Sequence, residues 1–334
     1  MLSILLSMLV LMTPAERDSL LAQYPANREF WEDTFQSYEG DTLALIEELF
    51  FTIPAADRGR MSADILTDHL TGALENRLRW YTALPDSIFL PYVLDYRIAE
   101  EPLSSYRSAL SAWLQRRVQV KATAPEMAEE IRSVISNQID INPSFAEFEL
   151  PSPTQIIPVQ QASREGRWIL ITAAMRSMGI AARPIKGWFP GSDRNVYFWN
   201  EVWDGEEWLP IMQGVPPLEY IKTAVEYPRR ENITANYRNT GTLELLPLGE
   251  YTETGWNAYL RIPSGDDTVS VDGIVLNPFE EASIPLGPGE FIVTVDFQRG
   301  DELVGSWSTG VTISEDSIST VDMNQAQYAI VPLP

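Results

Sequence analysis

The chain has 334 residues, 45% hydrophobic and 10% aromatic with ten Trp, which is too long for one ordinary core and too apolar for disorder, so two or three domains are expected. Its net charge is −23; with no basic stripe to release counterions, nucleic acid and anionic membrane surfaces are excluded as partners. There is no cysteine, which excludes disulfides, zinc–thiolate sites and a thiol nucleophile.

The basic residues are lopsided. Lys121, Lys186 and Lys222 are the only lysines, and an acidic, lysine-poor surface suits a salty environment; a genome rich in Arg codons explains it equally well. Residues 1–12, MLSILLSMLVLM, are too short to span a bilayer as a helix and have the length of a secretion-signal core. An exported protein is expected, with a buried N-terminal helix as the alternative.

From residue 13 to 120 apolar residues recur at helical spacing. DTLALIEELFFTIP stops at Pro54, and SADILTDHLTGALENRLRWY starts at an N-cap, Ser62. EPLSSYRSALSAWLQRR places Tyr106, Leu110, Trp113 and Leu114 on one face, and SIFLPYVLDYRIAEE before it is apolar enough to be buried. The single histidine, His69, lies in ILTDHLTGALE. It reads as a helix-surface residue; Asp64 and Asp68 nearby do not complete a metal site, and neither metal nor cofactor is expected.

Residues 121–240 open with the helix APEMAEEIRSVISNQI, followed by a Pro-rich stretch, PSFAEFELPSPTQIIPV, expected to be extended. REGRWILITAAMRSMGIAARPIKGWF then gives a helix apolar on most faces, hence buried, ending at Gly179 and followed by a strand. VYFWNEVWDGEEWLPIM reads as a hairpin turning at Asp204-Gly205. Residues 241–334 alternate apolar and polar positions between turn signals such as Gly287-Pro288-Gly289, the pattern of a β-sandwich of immunoglobulin-like size.

RSMGIAARPIKGW, YFWNEVW and EEWLPIM, in this order and spacing, resemble the transglutaminase-like superfamily, whose core is papain-like, and the helical lead-in and β-rich tail resemble bacterial members. The resemblance implies an α+β multidomain protein: helical N-terminal region, transglutaminase/papain-like α+β core and C-terminal β-sandwich. In that family a Cys at the start of the buried helix attacks an amide carbonyl; helix dipole and imidazolium lower its pKa, and an Asp orients the His. Carried onto this chain, the Cys position is Arg164 with Ser163 beside it. The His position is Tyr197, and the Asp position is Met212 with Gln213 its neighbour. Arg is no nucleophile, Tyr is a poor base at neutral pH, and Met orients nothing.

A catalytically degenerate triad is therefore expected, in a pseudoenzyme that serves as a binding or structural module. Arg164 and the Tyr197 hydroxyl are candidates for recognising a carboxylate, through the bidentate fork of Arg. Against this stands simple pairing of Arg164 with Glu165 or Glu201. Of the tryptophans Trp188, Trp199, Trp203 and Trp208, the second and fourth read as core, and Trp188, near the loop in KGWFPGSDRN, as exposed. The positions expected to meet a ligand are thus Arg164, Tyr197, Trp188 and Glu201, for a peptide, glycan or protein partner. The alternative is a hydrolase or acyltransferase with a relocated site, using Ser163 as nucleophile or Glu165 and Glu201 as a carboxylate pair. Asn232-Ile-Thr matches a glycosylation acceptor.

Overall fold

Local side-chain chemistry starts several of the helices. Thr13 and Thr123 each form a capping box with the Glu three residues on, at the heads of α1 (Pro14–Leu21) and of Ala124–Gln138. The computed structural model describes residues 12–146, 150–190, 196–212, 214–227, 229–249, 255–264 and 267–326. The secretion-signal reading of residues 1–12 thus falls, but for Met12, outside the described residues. Among those residues no helix is long and apolar enough to cross a membrane.

The fold divides into two units, Met1–Arg183 with Asn200–Ile211, and Pro184–Trp199 with Met212–Pro334. In the first, α1 is followed by α2 (Arg28–Ser37), α3 (Gly40–Thr52), α4 (Ala55–Arg58), α5 (Ala63–Asn76), α6 (Asp86–Phe89) and α7 (Arg107–Gln115). Next come α8 (Ala124–Gln138), β1 (Asp140–Ile141), α9 (Pro153–Val159), β2 (Gln161–Ala162) and α10 (Arg164–Ser177). Strands β3 (Ala182–Trp188) and β4 (Val196–Trp203) begin in one unit and end in the other, and β5 (Trp208–Ile211) closes the first. The Pro-rich stretch departs from the extended expectation. Ser152 and Gln155 form a capping box, and Pro153, with its fixed φ, begins α9 at a position where its missing N–H costs nothing.

α10 is the centre of this unit. Every residue from Trp168 to Ser177 is buried, and the helix packs against α7, α8 and α9. It ends where Gly179 takes φ +80°; a Cβ there would lie 2.5 Å from Asn76 Cβ and from the Asn76 carbonyl, so the turn requires glycine. Trp80 Nε1 donates to the Met178 carbonyl at 2.7 Å, and Tyr81 Oη accepts from Ala181 N at 3.1 Å while donating to the Trp203 carbonyl at 2.9 Å. Two consecutive aromatics thus clamp the turn that launches β3.

The expected helix-surface His69 is instead fully buried. Its Nδ1 accepts from Arg107 Nε at 3.0 Å, its Nε2 lies 3.1 Å from the Ser104 carbonyl, and its ring meets Tyr106 edge-on. Arg107, also buried, donates to the carbonyls of Val93, Leu94 and Asp95, which close the π-helical turn Leu90–Leu94, and to that of Arg176. A buried cation is tolerated because backbone acceptors surround it. Asp68, one residue away, turns outward and caps α7 by accepting from Arg107 N and Ser108 N.

In the second unit β3 pairs antiparallel with β6 (Thr223–Glu226), which pairs with β7 (Glu231–Asn232). Beyond lie β8 (Gly241–Leu246), β9 (Trp256–Ser264), β10 (Asp267–Ser270), β11 (Ala282–Leu286), β12 (Gly289–Arg299), β13 (Glu302–Ile313) and β14 (Ile318–Asp322). They form two sheets, ordered β10-β9-β12-β13 and β11-β8-β14, with β14 parallel to β8. Period-two alternation fills the core: Phe291, Val293, Val295 and Phe297 of β12 are buried, as are Leu260 and Ile262 of β9 and Leu243 and Leu245 of β8. The expected β-rich C-terminal region is present.

Candidate functional site

α10 begins at Arg164, the residue that the resemblance sets at the family's thiol position. Ser163 is its N-cap: Oγ accepts from Gly166 N at 2.9 Å, and the side chain is buried. This hydroxyl is spent on capping, and Gly166 leaves room for it, since a Cβ there would meet Ser163 Oγ at 3.2 Å. Arg164 follows as the first helical residue and is exposed. A cation there opposes the helix dipole. Among the described residues Arg164 makes no ion pair; Glu201, one of its two expected partners, is engaged elsewhere.

Glu201 is 2% exposed and accepts from Arg183 Nε and Nη2 at 2.8 and 2.7 Å. The Arg183 guanidinium also lies over the Trp208 ring, 4.3 Å from its centroid, and Trp208 meets Tyr92 and Trp203 edge-on. Asn200, next to Glu201 on β4, donates to Thr172 Oγ1 at 2.5 Å and to the Trp168 carbonyl. The motif residues Asn200 and Glu201 therefore tie the β4–β5 hairpin to α10 and to the start of β3. Asp204 makes the turn by accepting from Glu206 N and Glu207 N, with Gly205 at φ +121°. The expectation that Glu201 contacts a ligand meets a buried carboxylate already held by a guanidinium.

One turn beyond Arg164 stands Arg167, half-buried. Sequence reading passed it over, although its spacing of three from Arg164 puts the two on one face. Burial depresses its pKa first, and the charges of Arg132 and Arg164 depress it further, with Asp140 the opposing charge. Arg132, on α8, pairs with Glu129 at 2.7 Å. It also lines an open cleft of about 860 Å³ between α8 and β5, together with Lys121, Glu130, Ser133, Leu209 and Ile211.

The two residues expected at the family's His and Asp positions belong to the second unit. Tyr197 on β4 and Met212 just past β5 are half-buried, and both pack against one apolar cluster built on Ile185, Phe189, Trp199 and Ile221. Tyr197 meets Phe189 edge-on with centroids 5.2 Å apart. At both positions the side chains fill space against that cluster. Gln213 lies outside the described residues, as do residues 191–195 of the KGWFPGSDRN loop.

Trp188 corrects its expectation of exposure: it is fully buried, and Nε1 donates to the Ser270 carbonyl at 3.1 Å. Trp199 is buried as expected, whereas Trp208 is only half-buried. Asn232 Nδ2 donates to the Pro285 carbonyl and Oδ1 accepts from Thr234, so the amide that a glycan would occupy is committed. Among the described residues no three His, Asp or Glu side chains cluster as metal ligands would.

Residues 112–212 match the family model of the transglutaminase-like superfamily. No curated protein matches the chain by sequence. Among solved structures it is similar to a candidate cysteine protease from Cytophaga hutchinsonii, at 16% identity over 45% of this chain and 50% of that one, with a TM-score of 0.36. It is also similar to a candidate protease from Parabacteroides distasonis ATCC 8503, at 10% identity over 63% of this chain and 49% of that one, with a TM-score of 0.31. The chain spans about half the length of each. With Gly179-Ile180 at the turn into β3 and Trp199 to Val202 on β4, the match identifies residues 112–212 as a transglutaminase-like domain.

Proposed function

We propose that this protein is a catalytically inactive member of that family, exported from a bacterial cell, which serves as a binding or structural module for peptide or cell-envelope ligands. The observation that carries the reading is Arg164: the first residue of α10, where the family places its nucleophile, is an exposed guanidinium without an ion-pair partner among the described residues. Supporting it, Tyr197 and Met212 pack against an apolar cluster. The chain has no cysteine, and its one histidine is buried against Arg107. The alternative, a hydrolase or acyltransferase relocated to Ser163 or to Glu165 and Glu201, is weakened because Ser163 caps α10 and Glu201 neutralises Arg183.

Two assays on the purified protein test this reading. Ammonia release and amine incorporation are measured with glutamine-containing peptides, and cleavage with peptide and peptidoglycan fragments; no turnover is expected. Turnover that Ser163→Ala or Glu201→Gln abolishes would overthrow the reading in favour of the relocated enzyme. A thermal-shift panel of peptides, peptidoglycan fragments and acidic oligosaccharides, with Arg164→Ala alongside, then separates binding from a purely structural role. A ligand that stabilises the wild type and not the variant makes Arg164 part of a binding site.

A further inference from the structure

We infer that β13 is a self-association edge: two copies of this chain join by pairing their β13 strands antiparallel about a twofold axis at Ser308. The sheet edges of this protein are not alike. Among the described residues, in the sheets of three or more strands, β5, β7, β10, β11, β13 and β14 stand at the edges. All but β13 are two to five residues long, and each holds a proline or an acid: Pro210, Glu231, Asp267, Pro285 and Asp322. Short length, proline and charge are what keep a sheet edge from joining another. β13 is 12 residues long and, after Glu302, holds neither charge nor proline, in a chain of net charge −23.

Alternate residues of an antiparallel strand turn their backbone groups to the same neighbour. Gln298 N donates to the Gly255 carbonyl at 2.8 Å, toward β9. Counting by twos along β12, Asp296, Thr294 and Ile292 face β9 as well. Their partners on β13, Ser306, Ser308 and Gly310, therefore turn N–H and C=O away from β12, and all three residues are exposed. The stretch is bounded at both ends: a bulge leaves Val304 without a register partner, and Ser319 Oγ donates to the Thr312 carbonyl at 2.8 Å. With Ser308 opposite itself, Ser306 meets Gly310 of the second copy. The half-buried Trp307 then meets Thr309, with Val311 on the diagonal, an aromatic against β-branched neighbours, which favours pairing. A second copy fits because the strand is complementary to itself and brings no charge to the axis. Identical surfaces meeting about a twofold also close at two copies.

Sedimentation equilibrium of the full chain, over roughly a hundredfold range of concentration and at low and high sodium chloride, tests this. An interface built on one strand pair is small, so the mass should rise towards a dimer only at the upper concentrations. High salt should favour the dimer, by screening the repulsion between two acidic chains. Gly310→Glu and Ser308→Pro should each weaken dimerisation roughly tenfold or more, while Ser87→Glu, exposed on α6, should leave it unchanged. Both edge variants should melt with the wild type. A Cβ at Gly310 meets nothing within 4 Å, and the N–H that proline removes at Ser308 turns away from β12. Because the chain has no cysteine, Ser308→Cys carries a lone thiol, which should crosslink under mild oxidation far faster than that of Ser87→Cys. A monomer throughout overturns the inference and leaves the edge to an extended segment of another protein. A dimer that Gly310→Glu leaves intact overturns it too, as do growth past two copies and equal crosslinking rates. None of these failures touches the non-catalytic reading.

Discussion

Acidification tests the buried His69 with little ambiguity, because the chain has one histidine and its ring resonances need no assignment. Burial above all, then the Arg107 charge, drives its pKa from the usual 6.5 to about 3, against the Ser104 carbonyl and Asp68, which pull it up, and Arg176, which adds to the depression. The unfolded chain binds a proton near pH 6.5 and the folded one only near 3. Between these values the unfolded state holds more protons, so stability is complete above about pH 6.5 and is lost as the pH falls toward 3. At 1.36 kcal/mol per tenfold change in proton affinity, the full window is worth at most roughly 5 kcal/mol. A single ring can thus take away a large part of an ordinary domain's stability.

The assay is a titration of the imidazole Cε1–Hε1 cross-peak from pH 8 to pH 4, run beside urea melts of the wild type and His69→Gln at each pH. The folded protein's peak should not move through pH 6.5, and the wild type should lose stability faster than the variant on descending from about pH 6 to 4.5. A midpoint near 6.5 in the folded state, or parallel pH profiles for the two proteins, would refute both the burial and the coupling to Arg107.

Glu201→Gln leaves the Arg183 guanidinium buried beside a neutral amide, with one acceptor retained, and should cost about 2–3 kcal/mol in urea; a loss under about 0.5 kcal/mol would mean that the pair does not hold β4 to β3. Ser163→Ala removes only the cap of α10, so a loss of about 1 kcal/mol is expected in the same melts, with no change in any ligand's binding. Gly179→Ala forces φ +80° on an L-residue and sets its Cβ 2.5 Å from Asn76; about 2–4 kcal/mol should be lost, and a neutral result would show that the turn can open. Gly187→Ala, whose Cβ would fall 2.5 Å from the Trp199 ring, should shift the near-UV circular dichroism of the apolar cluster along with the melting temperature.

Much of the local structure was legible because its causes are local. Thr13, Ser62 and Thr123 find their partners three residues downstream, and Asp204-Gly205 turns the hairpin with neighbours two and three residues away. The depth of α10 followed from apolar residues on every face, and the order of helix and strands from motifs that keep their spacing. A cysteine nucleophile was excluded by the composition alone, since no fold can supply a cysteine that the chain lacks.

The sequence by itself therefore determined the classes of element, the architecture that joins them and the chemistry that cannot occur. Which side chains are buried, and which charges stand together, was decided by partners remote in the chain. His69 reads as surface until Arg107, 38 residues on, turns its guanidinium inward to hold the carbonyls of a π turn. Trp188 reads as exposed until the Ser270 carbonyl, 82 residues away, accepts its indole N–H. Arg132 and Arg167 read as separate charges until α8 packs on α10, where burial and then the Arg132 charge depress the Arg167 pKa. The physical reason is common to all three: a cap or turn is satisfied within one turn of chain, whereas desolvation and charge crowding depend on everything that fills the same volume.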